Sequence, residues 1–135
     1  MAFSLINWWA VLVATVLNMV VGFVWYGPLF GKMWLRMMDT SPEEIHGESN
    51  PVTYLIPVVG AFASAVVLAM VLGLLRVFTL AGGAGWGALL WFAFGGTGLL
   101  TTGVFENRKA GLSWLFIAYM VLVHAAQGAM FAVWR

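Results

Sequence analysis

Four long runs of apolar residues, at about 5–26, 54–77, 83–104 and 112–134, carry almost no charge, and the ionic side chains collect in the links between them. At 1.5 Å of rise per residue, a helix of this length reaches about 33 Å, enough for a hydrocarbon core of about 30 Å. Only a helix satisfies its own backbone in lipid from within one segment. The pattern therefore predicts an all-α integral membrane four-helix bundle, a single transmembrane domain over 1–135.

The links differ in character. The first run closes on Trp25-Tyr26-Gly27-Pro28-Leu29-Phe30-Gly31-Lys32-Met33-Trp34, where Gly27 supplies a helix stop and Pro28 blocks simple continuation. Residues 29–38 alternate apolar and cationic positions at helical spacing. They predict a short amphipathic interfacial helix, with Lys32 and Arg36 reaching headgroup phosphates beside Trp34. The polar link 39–53 holds Ser41-Pro42-Glu43-Glu44, which matches a helix start with Ser41 as N-cap and Glu44 closing a capping box, ending at Gly47. Pro57 falls in the first turn of the second run. The link 78–82 is so short that spans two and three are expected as a tight antiparallel hairpin. Gly60 and Ser64 on span two, and Gly95 and Gly98 on span three, are small residues that permit close helix approach.

Composition fits the pattern: 63% of residues are hydrophobic and 8% charged, against about 25% charged in ordinary soluble domains. Mean hydropathy is +0.97. The chain has no cysteine, which excludes disulfides, thiolate metal sites and cysteine nucleophiles. A net charge of +1 gives no basic field for nucleic acid. The N-terminus lacks the basic stretch of a secretory signal, so the first run reads as a retained span. Lys32, Arg36, Arg108 and Lys109 fall on one side of the predicted topology, and Arg76 and Arg135 on the other. The positive-inside rule then places the 29–53 link in the cytoplasm and both termini outside.

Polar side chains inside lipid are the first functional candidates. Asn18 in span one, Thr102 in span three, and His124 and Gln127 in span four form the predicted intramembrane polar set, with a contact between Asn18 and His124 geometrically open. A proton or solute relay on His124 is the sharp reading, and an interhelical hydrogen bond fixing register is the plainer one, favoured because a lone histidine without carboxylates relays poorly. Glu106 reads as one partner of a link ion pair with Arg108. His46 and His124 fall in different environments, so no metal site and no cofactor are expected. Gly82, Gly83, Gly85 and Gly87 lack the following Lys-Ser/Thr of a phosphate loop, and no nucleotide site is read there.

The run Trp25-Tyr26-Gly27-Pro28-Leu29-Phe30-Gly31, closing on Trp34 after a span that begins Ile6-Asn7-Trp8, resembles a family of small, mostly bacterial membrane proteins with about four spans. That family is a domain of unknown function, so the resemblance implies the architecture and a bacterial cytoplasmic membrane, and no activity. Three roles are weighed. The first is a structural or interaction module that self-associates as a homo-oligomer or docks as a subunit of a larger membrane complex, with the lipid bilayer as its medium. The second is an oligomeric permeation protein with a polar path near Asn18, His124 and Gln127. The last is an interfacial lipid-modifying enzyme using Glu106, His46 or Lys32, which the scattering of those groups disfavours.

Overall fold

The computed structural model describes residues 3–47 and 50–135, and every regular element among them is helical. A single turn at Phe3–Leu5 leads into α1 (Trp8–Val24), which passes through a wide π-helical turn at Trp25–Leu29. The short helices α2 (Gly31–Met37) and α3 (Pro42–Gly47) follow, then α4 (Pro51–Leu74). The third span is α5 (Leu80–Trp91), a second wide turn at Phe92–Gly96, and α6 (Thr97–Phe105); the last is α7 (Ala110–Val133). Four helical segments, Trp8–Leu29, Pro51–Leu74, Leu80–Phe105 and Ala110–Val133, are long and apolar enough to cross a membrane. The chain is an integral membrane protein.

The ends of these helices follow from local chemistry. Asn7 caps α1, its side chain accepting from the amides of Trp9 and Ala10 at 3.1 and 3.2 Å, so the first span starts at Trp8 rather than near residue 5. Asn50 caps α4 and Thr79 caps α5 in the same way. Span two thus opens at Pro51, and Pro57 lies beyond the first turn. Pro28 does not end the first span. Lacking an N–H, it is housed in the wide turn, where the Phe30 amide reaches back five residues to the Trp25 carbonyl at 2.9 Å. At α3, Ser41 Oγ accepts from the Glu44 amide at 3.3 Å, while the Glu44 carboxylate accepts from the Thr40 hydroxyl at 2.8 Å instead of returning to the cap's own amide. Asp39, Arg76 and Asn107 each take a left-handed conformation just past a helix end. The six-to-one amide bonds Thr40 to Leu35, Val77 to Leu72 and Arg108 to Gly103 close the three turns.

The bundle is built on α7, which packs against α1, α4, α5 and α6. Between α1 and α4, small residues let the backbones close up: Ala10, Ala14 and Ala65 are fully buried with Val11, Leu68 and Leu72. Between α5 and α7 the contact is tighter still. A Cβ on Gly83 would collide with the Gly128 carbonyl, one on Gly87 with the His124 carbonyl, and one on Gly128 with the Gly83 carbonyl. Spans two and three, by contrast, scarcely touch along their length despite the short link. The expected tight hairpin is a splayed one, because each helix finds a better-fitting partner, α4 on α1 and α5 on α7.

The small residues singled out in the sequence do not set close helix approach among the described residues. Gly60 and Gly98 are exposed with nothing near a built Cβ, and a Cβ on Gly95 would meet only its own helix's Trp91 ring. Ser64 is half-buried beside the gap between α4 and α5. The glycines that set close approach within the chain are Gly83, Gly87 and Gly128.

Candidate functional site

The polar groups of the bundle interior converge on α1 and α7. Asn18 is buried, and both its side-chain and main-chain oxygens accept from the Tyr119 hydroxyl, the latter at 2.8 Å. Gly22, one turn on from Asn18, makes this possible: a Cβ there would lie 2.7 Å from the Tyr119 hydroxyl. Two turns further along α7, the fully buried Gln127 donates from Nε2 to the Ala14 carbonyl at 2.8 Å. The two bonds clamp α7 to α1 through main-chain oxygens that intrahelical bonding leaves a spare lone pair on.

Asn18 and His124 do not pair; Tyr119 takes the place beside Asn18. His124, itself 4% exposed, bonds back through Nδ1 to the Met120 carbonyl at 2.8 Å. A carbonyl only accepts, so in the neutral ring Nδ1 carries the proton and Nε2 is a bare acceptor. Neither His124 Nε2 nor Gln127 Oε1 has a hydrogen-bond partner within the described residues.

Thr102 stands apart from this set. It is exposed, its hydroxyl turned onto the Leu99 carbonyl at 3.1 Å, as Thr97 and Thr101 close on Ala93 and Thr97. On α6 it is the neighbouring Gly103 that is buried, facing Ser113 of α7.

Around the polar clamp runs a ladder of rings. Phe30 packs on Trp25 with centroids 4.6 Å apart, and Trp34 meets Tyr26 edge-on at 5.3 Å. Tyr26 and Phe116 each meet Tyr119 edge-on at 5.9 Å, Phe116 touches Trp91, and Trp91 tilts against His124 at 5.9 Å. The Trp25 indole N–H adds a bond to the Leu115 carbonyl at 3.2 Å. These contacts explain the spacing of the Trp25–Trp34 run: its rings pin the wide turn to α7. Gly31 is buried where a Cβ would press on the Tyr26 carbonyl at 2.8 Å, whereas Gly27 and Pro28 are exposed.

Two cavities border the ladder. One of about 450 Å³ lies between Tyr26, Trp34, Leu99, Arg108 and Phe116. The other, about 270 Å³, fills the gap between α4 and α5 and is lined by Ser64, Leu68, Leu90, Trp91, Phe94 and His124. In the links, Arg108 pairs with Glu106 at 3.2 Å, and Lys109 reaches Asp39 at 3.0 Å, joining the last link to the end of α2. Lys32 and Arg36 are exposed on α2 while Trp34 is half-buried. The side chain of His46 lies outside the described residues.

Tyr119 is the residue that sequence reasoning passed over. A tyrosine in mid-span, away from either aromatic belt, and a glycine four residues after a buried asparagine were the available signals.

A family model described as a protein of unknown function, DUF1761, matches residues 9–132. No curated protein and no solved structure matches the chain.

Proposed function

The chain belongs to the DUF1761 family, whose function is unknown, and from that premise we propose that it is a non-catalytic module of a bacterial cytoplasmic membrane that self-associates or docks onto a larger membrane complex. What supports the reading is the use made of the buried polar groups. Tyr119, Asn18 and Gln127 are committed to tying α7 to α1, which suits a rigid frame. Two further spans then hang on that frame with outward faces that none of the described residues covers. Gly60 on α4 and Gly98 on α6 are such positions, and a neighbouring helix could approach closely at both. The link cations Lys32 and Arg36, with Trp34, hold α2 at the headgroup layer in this reading. A permeation path lined by Asn18, His124, Gln127 and Thr102 draws less support, since Asn18 and Gln127 are bonded into the α1–α7 contact and Thr102 is exposed with its hydroxyl on its own helix.

The absence of cysteine makes the test clean. Single cysteines at Gly60 or Gly98, oxidised in native membranes, are expected to trap a dimer or a crosslink to another membrane protein at one of the two sites. A protein that folds normally yet stays monomeric with both variants would refute the reading.

A further inference from the structure

The cavity of about 450 Å³ beside Tyr26 lies at the end of the bundle where the first and third links meet. Its wall is Tyr26 from the wide turn after α1, Trp34 and Met38 from α2, Leu99 from α6, and Leu112 and Phe116 from α7. None of these residues is fully buried, so a guest can reach them from the bilayer. Arg108 is the one ionic group in the lining. Its backbone sets it there: Asn107 takes the left-handed conformation, the Arg108 amide closes on the Gly103 carbonyl at 2.9 Å, and the next residue, Lys109, is held by Asp39 at 3.0 Å. The Arg108 side chain is 40% exposed and bonds Glu106 through Nη2 at 3.2 Å, which leaves further N–H donors for a second acceptor. The lining changes character with depth. Leu99 lies six residues before the end of α6 and Phe116 six residues after the start of α7, about 9 Å into their spans. Tyr26 and Trp34, which meet edge-on, are rings of the kind that sit between headgroup and chain.

We infer that this cavity binds one acidic phospholipid of the phosphatidylglycerol class, with its phosphodiester on Arg108 and the first methylenes of an acyl chain between Leu99, Leu112 and Phe116. An anion meets the one charge in the lining, and a guanidinium matches phosphate oxygens with paired N–H groups. A free phosphate would leave the apolar wall uncovered, and a wholly apolar guest would leave Arg108 unused. Choline and ethanolamine heads carry a cation of their own, which would come beside the guanidinium with no carboxylate in the lining to receive it. The volume falls within the roughly 300–1,000 Å³ of small-molecule sites, and the remainder of the acyl chains stays in the bilayer. Glu106 shares the guanidinium and so limits the affinity. Lys32 and Arg36 differ in kind: they are exposed on α2, outside this lining. The inference goes beyond the scaffold reading and stands whether or not the chain self-associates.

The test is native mass spectrometry of the full chain released from nanodiscs that hold equal amounts of palmitoyl-oleoyl phosphatidylglycerol and phosphatidylcholine. The native chain is expected to retain one phosphatidylglycerol, about tenfold over phosphatidylcholine, the value of one charge-assisted hydrogen bond. Glu106→Gln, which frees the guanidinium, should raise that preference, and adding Arg108→Gln to it should abolish the preference. Lys32→Gln with Arg36→Gln removes two cations from the exposed side of α2 and should leave it unchanged. Glycerol phosphate in millimolar excess should not displace the lipid; displacement would assign the site to soluble phosphates and sink the proposal. Equal retention of the two lipids by the native chain, a preference that survives Arg108→Gln, or one lost with Lys32 and Arg36 overturns it as well. The first of these comparisons requires no variant to fold.

Discussion

At the scale of single residues, the same amino acid does opposite things at different places. Gly87 and Gly98 are both glycines in the third span, but a methyl group on the first would strike the His124 carbonyl and on the second would meet nothing. Gly87→Ala is expected to destabilise the fold by about 1–3 kcal/mol through overpacking. Gly98→Ala should be neutral or stabilising by about 0.5–1 kcal/mol, because alanine restricts the unfolded chain. Reversible unfolding in mixed micelles reads both, and equal effects would show that α5 does not sit on α7 as described. Neither glycine announces its role in the sequence. Gly87 lies between Trp86 and Ala88 and Gly98 between Thr97 and Leu99, and only the neighbour's backbone distinguishes them. Asn18 was legible as a buried polar group because lipid makes such a residue conspicuous. Its partner was not, since Tyr119 reads equally well as one more amphipathic ring.

Among elements, the four spans were plain from their length and apolarity, but their pairing was hidden. A helix that is apolar all round gives no stripe to mark its buried face, and lipid tails are as apolar as the helices they replace. The short link between α4 and α5 suggested a hairpin for the same reason: covalent proximity was the available clue, and packing overrode it. The wide turns were also invisible, although Pro28 marks one of them. Such a turn holds one residue more than an α-helical turn, so losing one from 92–96 should restore regular helix and leave the flanking faces in place. Deleting Gly95 is expected to preserve a monodisperse, folded protein. Deleting Gly85 should instead rotate Gly83 by about 100° relative to Gly87 and break the α5–α7 contact. Size-exclusion profiles and melting in mild detergent separate the two outcomes; similar damage from both deletions would argue against the wide turn as a stored residue.

For the whole molecule, the charged groups gather at opposite ends. Asp39, Glu106, Arg108 and Lys109 meet at one end through their ion pairs, while at the other Arg135 lies over the Phe78 ring at 4.4 Å and bonds the Val77 carbonyl. With more cations in the first and third links, the first end is expected to face the cytoplasm. A reporter phosphatase fused after Arg135 should then be active, and a fluorescent reporter there dark; the reverse pair of results would invert the topology. The dominance of α7 has its own bearing on how the protein comes to be made. The helix against which the others lean follows them in the chain, so the earlier spans enter the bilayer before their principal contact exists. Span three in particular must wait in lipid with its glycine face open, and the newborn chain is most exposed to quality control in that interval.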